Sequence, residues 1–334
     1  MESLVRNMST NFWENKNVLI TGYEGFLGSN LTKHLISYGA DIVGLDIKAR
    51  RKRTILTESD YKKIVVVKGS VANYKLLKGI IACNEIEIVF NLAAEAIVGK
   101  CLENPLRTFS SNIRGTWNVL ESCRNLGTVK AIVIASSDKA YGSRSKPPYK
   151  EDASLSGNHP YDVSKSCTDL LAYTYFHTYG LPVCITRCGN IFGPGDFNFS
   201  RIVPDTIRSV IQNKTLEIRS DGKFTRDYIY VDDVVSGYLI LAEKMQKLKL
   251  FGEAFNFSNE NPIPVLVLVK KIYQLAGKNS NYKILNRVKY EIKHQYLSAS
   301  KARKILGWKP QYILEQGLEK TIKWYRECFQ GGRT

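Results

Sequence analysis

Short, unbroken apolar runs punctuate the first half of the chain: Asn17 to Thr21, Asp41 to Leu45, Lys63 to Val67, Ile86 to Asn91, Lys130 to Ala135 and Pro182 to Arg187. Runs of this length without strict alternation predict strands buried on both faces, the situation of a parallel sheet. Between them lie stretches whose apolar residues recur every three or four positions, predicting helices over Ser29 to Tyr38, Tyr74 to Cys83, Pro105 to Leu126 and Tyr161 to Tyr179. Strand and helix in alternation predict a doubly wound parallel sheet with helices on both faces, an α/β class.

The last third is less regular. Gly193-Pro194-Gly195-Asp196 reads as a turn, Arg201 to Asn213 as a helix and Leu216 to Arg219 as a strand. Asp227 to Val231 predicts a strand and Asp232 to Met245 a helix, and Phe255 to Ser258 predicts a strand returning to the main sheet. Val265 to Leu275, Ser300 to Leu306 and Leu314 to Cys328 are amphipathic. The expected organisation is a domain of residues 1–187 plus about 226–260, joined to a smaller α+β substrate domain of residues 188–225 and 261–334. There is no internal repeat and no low-complexity linker.

Chemistry clusters where the strands end, which is where open α/β sheets bind their ligands. The first strand runs into Gly22-Tyr-Glu-Gly25-Phe-Leu-Gly28 and then a helix. Glycines there permit a tight turn and let backbone N–H groups approach a pyrophosphate at a helix start. The second strand ends in Asp46, roughly 20 residues on, at the place of a ribose-binding carboxylate. Strand, turn, helix, strand and acid in this order predict a dinucleotide site. Asp46 favours NAD, because a carboxylate repels a 2′-phosphate. The run Lys48-Ala-Arg-Arg-Lys-Arg53 offers cations for that phosphate, although a solvated basic loop is the preferred reading. After the fourth run, Leu92-Ala93-Ala94 are residues beside which a flat cofactor can lie close to the backbone.

Tyr161 and Lys165 share one helical face. A half-buried tyrosine beside a solvated lysine explains such a pair in isolation. Next to a dinucleotide site it has a sharper use: an ammonium favours the phenolate, so a group of ordinary pKa about 10 can serve as a base. Ser136 and Ser137 end the fifth run nearby.

Composition narrows the alternatives. Of 334 residues, 44% are hydrophobic and 24% charged, ordinary for a globular chain with a real core. No apolar run approaches the roughly 20 residues that span a bilayer. The start, Met-Glu-Ser-Leu-Val-Arg-Asn-Met, lacks a secretory layout, and the expectation is a cytoplasmic protein. Seven scattered cysteines and four histidines show no metal-ligand spacing and no disulfide framework, so no metal is expected. Cys184 and Cys188 read as small core residues. The net charge of +17 suits anionic ligands. It is dispersed over Lys48 to Arg53, Arg144 to Lys150, Lys244 to Lys249 and other stretches, without interleaved aromatics, so nucleic acid is not the expected partner.

The chain resembles the extended short-chain dehydrogenase/reductases from about Asn17 to Cys328. The marks are Thr21-Gly-Tyr-Glu-Gly-Phe-Leu-Gly28, Asn91-Leu-Ala-Ala94, Ser136-Ser-Asp-Lys-Ala-Tyr-Gly142, Tyr161-x-x-x-Lys165, Arg187-Cys-Gly-Asn190, Arg226-Asp-Tyr-Ile-Tyr-Val-Asp-Asp233 and Ser298 to Pro310. Within that superfamily it looks most like the nucleotide-sugar 4,6-dehydratases. The triplet Ser137-Asp138-Lys139 and Arg201-Ile-Val-Pro204 look most like the CDP-glucose 4,6-dehydratase branch.

The resemblance implies a Rossmann-like fold, NAD as cofactor and a nucleotide-diphosphate sugar as substrate. It implies cofactor contacts at Gly22, Gly25, Phe26, Leu27, Gly28, Asp46, Leu92, Ala93 and Ala94, with Ser70 and Val71 on the adenine side. Ser70 stands where relatives often place Asp, and Glu95 where many carry His or Gln. Tyr161 would take the 4-hydroxyl proton, Lys165 would hold the ribose and lower the tyrosine pKa, and Ser137 would bond the 4-oxygen. Asp138 would be the acid that expels the 6-hydroxyl. Lys139 would be the base at carbon 5, where many relatives use Glu; binding an anion or shielding Asp138 is the alternative. Asn190 and Arg226, with Arg201 as a further candidate, would contact the diphosphate. A salt bridge to Asp227 or Asp232 is the other use of Arg226. A homodimer through the helices 105–126 and 161–179 is also implied. Two other functions stay open: a nucleotide-sugar epimerase, and a non-catalytic NAD sensor or RNA-binding protein on the same fold.

Overall fold

The computed structural model describes residues 10–143, 146–287 and 292–331. The opening residues read above for a secretory layout, and Arg144 of the basic stretch, lie outside the described residues.

The early apolar runs form β1 (Asn17–Thr21), β2 (Asp41–Asp46), β3 (Ile64–Lys68), β4 (Ile88–Asn91), β5 (Ala131–Ala135) and β6 (Val183–Cys188). Short strands follow: β7 (Asn190–Phe192), β8 (Leu216–Ile218), β9 (Thr225–Arg226), β10 (Tyr228–Tyr230), β11 (Ala254–Phe257), β12 (Ile263–Pro264), β13 (Tyr282–Ile284) and β14 (His294–Gln295). The main sheet has seven strands in the order β11-β6-β5-β4-β1-β2-β3. Every pairing in it is parallel. The carboxyl ends of all seven therefore open on one edge. The order reverses direction beside β1, which makes a crevice for ligands there.

In the inner strands the apolar runs are unbroken because both faces are buried, whereas the edge strand β3 leaves Val65 exposed. Val18 and Ile20, Ile88 and Phe90, and Val133 join the core on one side, against the Phe26–Ser37 and Val231–Lys244 helices. Their neighbours Leu19, Val89, Ile132 and Ile134 join the core on the other side, against Tyr74–Cys83, Gly115–Leu126 and Pro160–Tyr179. Each strand thus feeds two cores at alternate positions.

Three small sheets carry the last third: β10-β7, β13-β8 and β12-β9-β14. β11 joins the main sheet beside β6, as the apolar run at 255–258 predicts.

Two elements differ from the sequence expectation. The single helix expected over 105–126 is helical throughout, but Ser110–Arg114 is a π turn between Pro105–Phe109 and Gly115–Leu126. The wider turn lets Asn112 project sideways, and its use is described below. The helix expected from Ser29 starts at Phe26, because the glycine turn leads straight into its first turn. Among the described residues no helix is long and apolar enough to cross a membrane, and no group of three or more His, Cys, Asp or Glu side chains could hold a metal ion.

Candidate active site

The turn after β1 is set by backbone contact. Gly22 sits at φ 73°, and a Cβ there would lie 2.9 Å from the backbone of Ala93. A Cβ on Gly28 would lie 2.2 Å from the Gly22 carbonyl oxygen. The Leu92-Ala93 turn is pinned to β1, with both N–H groups donating to the Thr21 hydroxyl at 3.2 Å. Glycine is thus dictated by close approach of two loops. Gly25 precedes the 26–37 helix and no side chain caps that helix. Its first N–H groups and its positive dipole end are oriented for a pyrophosphate.

Asp46 ends β2 and is 4% exposed. It accepts the Lys48 N–H at 3.1 Å, and the Arg51 guanidinium reaches it at 3.2 Å. Arg51 also donates its backbone N–H to Glu24 at 3.1 Å, and the Tyr61 hydroxyl bonds the same carboxylate. Of the basic loop, Arg51 therefore faces Asp46, while Arg50 is taken up by Glu58 at 2.8 Å. Ser70 accepts the Ala72 N–H through its hydroxyl. Val71 is buried against Gly115, and its carbonyl takes a hydrogen bond from Asn118. Glycines, buried acid and uncapped helix start together fit a dinucleotide.

Downstream of β5, Ser137 caps the short 3₁₀ turn Asp138–Tyr141, accepting the Lys139 N–H at 3.2 Å. Its hydroxyl donates to Asp138 at 3.0 Å. Asp138 is buried, and the Lys139 ammonium meets its carboxylate at 3.3 Å. Burial pushes the Lys139 pKa down; Arg226 adds to the fall, while Asp138 and Asp162 oppose it.

Tyr161 and Lys165 stand on the first turns of the Pro160–Tyr179 helix, which starts on a proline suited to that position. The expectation that the lysine holds the phenol low is corrected here. Burial raises the Tyr161 pKa to about 12; a hydrogen bond with Ser137 and the Arg201 charge pull it back. Lys165 is pushed down to about 8 by burial, against Asp169. Its ammonium donates to the Ala135 carbonyl at 2.6 Å and lies 6.0 Å from the Tyr161 ring. Desolvation outweighs a cation at that distance.

On the other wall, Asn190 opens β7, and its Nδ2 is buried with no hydrogen-bond partner. Burial without a partner costs about 1–3 kcal/mol, and a ligand acceptor there would recover it. Arg201 pairs with Asp196 at 3.1 Å. Arg226, on β9, donates to the carbonyls of Thr225 at 2.9 Å and Lys293 at 3.2 Å. Asp227 is occupied with the Ser258 hydroxyl and the N–H groups of 259–261. The Arg201 charge pulls the Tyr161 pKa down, and the Arg226 charge pulls the Lys139 pKa down.

Three supporting residues had no motif to mark them. Asn112, thrown out by the π turn, bonds the Glu95 backbone through both ends of its amide and the Ser164 hydroxyl at 2.9 Å. It ties the loop after β4 to the tyrosine helix, while Glu95 itself pairs with Arg107 at 3.3 Å. Asp169 bonds Ser136 and the Arg187 guanidinium beneath Lys165. Gln295 touches both Asp138 and Lys139. The π turn has no periodicity signal, and nothing in the sequence around Asp169 or Gln295 marks their burial.

Residues 19–321 match the family model described as GDP-mannose 4,6 dehydratase. The UDP-glucuronate 4-epimerase of Thermodesulfobacterium geofontis is 32% identical, with 92% of this chain and 96% of that protein covered. The CDP-glucose 4,6-dehydratase of Salmonella typhimurium is 31% identical, over 96% of this chain and 93% of that one. The crystal structure of dTDP-glucose 4,6-dehydratase from Bacillus anthracis, in complex with NAD, superposes with a TM-score of 0.83 at 27% identity, covering 96% of this chain and 100% of that one.

Proposed function

The chain belongs to the GDP-mannose 4,6 dehydratase family of extended short-chain dehydrogenase/reductases, and within it we propose a nucleotide-sugar 4,6-dehydratase. Its substrate is an NDP-hexose, with CDP-glucose the first candidate, and its product the 4-keto-6-deoxy sugar nucleotide. The cofactor is NAD. The described residues of 188–225 and 261–334 form the sugar-nucleotide side, with the phosphates at its Asn190 and Arg201 and at Arg226, where the 226–260 segment begins.

NAD, held by the glycine turn and Asp46, would supply the redox chemistry, as acceptor of the carbon-4 hydride and its later donor to carbon 6. Tyr161 would accept the 4-hydroxyl proton as the phenolate, the form that the Ser137 hydrogen bond and the Arg201 charge favour against burial, and Lys165 would orient the ribose. Ser137 donates to the resulting 4-keto oxygen. That keto group acidifies the carbon-5 proton, which Lys139 removes as a neutral amine. Asp138 gives a proton to the 6-hydroxyl, which leaves as water. The proton held by Lys139 returns to carbon 5 and the proton taken up by Tyr161 replaces the one Asp138 gave to the water, so the net change is loss of one water.

The observation that carries this reading is the Asp138–Lys139 pair in contact beside Tyr161. An epimerase needs neither an acid at carbon 6 nor a base at carbon 5. The epimerase reading draws on the similar identity of the UDP-glucuronate 4-epimerase. One assay separates them: CDP-, GDP-, UDP- and dTDP-hexoses are incubated and the products weighed. A dehydratase yields a 4-keto product lighter by one water. An isomer of unchanged mass overturns the proposal.

The working form is a homodimer. Leu106, Trp117, Leu170 and Tyr173 are exposed on the helices Pro105–Phe109, Gly115–Leu126 and Pro160–Tyr179. Such exposure on adjacent helices suits a self-complementary contact. Sedimentation at dilute concentration tests it, and a monomer there refutes it.

A further inference from the structure

Gln295 is fully buried on β14, far along the chain from the turn it touches. Its side-chain oxygen accepts a hydrogen bond from the Lys139 ammonium. Its amide nitrogen donates to the Asp138 backbone carbonyl at 2.9 Å. One side chain thus grips both members of the acid–base pair. β14 runs parallel to β9 with Gln295 opposite Arg226 in register. The Arg226 guanidinium also donates to the Lys293 carbonyl, two residues before Gln295. The strand that fixes the amine is therefore tied to the arginine assigned to the diphosphate.

We infer that Gln295 is a positioning residue for the carbon-5 proton transfer, holding the Lys139 amine beside Asp138 through an acceptor that carries no charge. The inference rests on the dehydratase reading for its consequence and on the hydrogen bonds for its geometry.

The absence of charge is the point of the choice. The charged groups facing Lys139 are Asp138 on its own turn, Asp162 from the tyrosine helix and Arg226 from β9. Burial and Arg226 favour the neutral amine, and the two carboxylates favour the ammonium. A third carboxylate at 295 would give the same shape and an acceptor, but would also stabilise the ammonium. An amide satisfies the amine in both protonation states. A base must be neutral to act, so turnover rises with pH through the Lys139 pKa, and the identity of residue 295 sets where.

The test uses the full chain and two variants, Gln295→Glu and Gln295→Met. The Lys139 amine is titrated by carbon-13 NMR after reductive methylation, its signal assigned by loss in Lys139→Arg. In parallel, kcat and KM for the sugar nucleotide are followed against pH. Gln295→Glu is expected to raise the Lys139 pKa by about one unit or more, and to move the acid limb of kcat up by the same amount, with rate recovered at high pH. Gln295→Met is expected to lower kcat about 10- to 100-fold with KM nearly unchanged. A folded Gln295→Glu with the Lys139 titration unmoved overturns the inference. So does Gln295→Met with wild-type kcat, which decides the matter if the Glu variant fails to fold. If the wild type releases no water, the dehydratase reading fails instead, and the Lys139 titration still decides the role of Gln295.

Discussion

The glycine turn after β1 and the corner around Lys139 lie at the same edge of one sheet, and they are assembled differently. The turn is continuous in sequence: Gly22, Gly25 and Gly28 follow one strand and start one helix. Its tolerances are set by backbone atoms, such as the 2.2 Å a Gly28 Cβ would leave to the Gly22 oxygen. The Lys139 corner draws on four separated segments, with Asp138 and Lys139 from one turn, Asp162 from a helix, Arg226 from β9 and Gln295 from β14. Its tolerances are set by side-chain charge and burial. Backbone geometry makes the first half an all-or-none binding site. Balanced charges make the second half adjustable in steps.

The residue where the halves meet gives the largest expected effect. Tyr161→Phe removes the phenol and leaves both surroundings intact. Turnover should fall about 10³-fold, in the middle of the range for a positioned acid or base, while bound NAD is retained. Retention of a tenth or more of the activity would show that the chemistry does not pass through Tyr161, and the two halves would lose their common point.

Gly28→Ala tests the rigid half. The added methyl has no flexible neighbour to displace, only the backbone of Gly22 and Tyr23. NAD affinity should fall about 100-fold, the cost of displacing a backbone that must approach the pyrophosphate. Fluorescence titration with NAD measures it. The Lys139 pKa should not move, because Asp138, Asp162 and Arg226, which act on it, lie away from the turn in sequence and on other elements. Wild-type affinity in the variant would mean that the turn yields as a side chain does.

Asn190→Leu separates binding from folding in the adjustable half. The wild-type amide nitrogen is buried with no partner, so replacing it should raise the stability of the ligand-free protein by about 1 kcal/mol. The same change should raise KM for the sugar nucleotide about tenfold, a lost hydrogen bond to a charged group being worth roughly 1.5–3 kcal/mol. A drop in stability with KM unchanged would make Asn190 a structural residue of β7 and remove it from the phosphate wall.

The same contrast explains what the sequence disclosed. The strand over Asn17 to Thr21 and the helix over Val265 to Leu275 occupy the expected residues, because a two-sided core and an amphipathic face each impose a periodicity. The glycine turn and Asp46 were legible for the same reason, as their geometry depends on neighbours in sequence. Gln295 was not, since a two-residue strand has no period and its burial comes from β9 and the 138–141 turn. Nor was the raised pKa of Tyr161: residue spacing places Lys165 on the right face, but only the fold shows it turned to the Ala135 carbonyl. Local rules recover what local contacts determine.

Arg51→Ala has the smallest expected effect and bears on cofactor choice. Arg51 lies 3.2 Å from Asp46, but its side chain is 41% exposed. An ion pair of that kind contributes about 0–1 kcal/mol. Asp46 keeps its bond to the Lys48 N–H without it and stays available to ribose hydroxyls. NAD affinity should therefore change by less than about threefold, the equivalent of well under 1 kcal/mol. NADP should respond more, since its 2′-phosphate would face the buried Asp46 with the nearest cation removed. Parallel titrations with the two dinucleotides read the difference. A tenfold loss of NAD binding would mean that Arg51, and not Asp46, holds the adenosine ribose, and would turn the basic loop from a solvated segment into part of the cofactor site. A parallel, small change for both dinucleotides would leave discrimination with Asp46 alone, fixed like the glycine turn by the end of a buried strand.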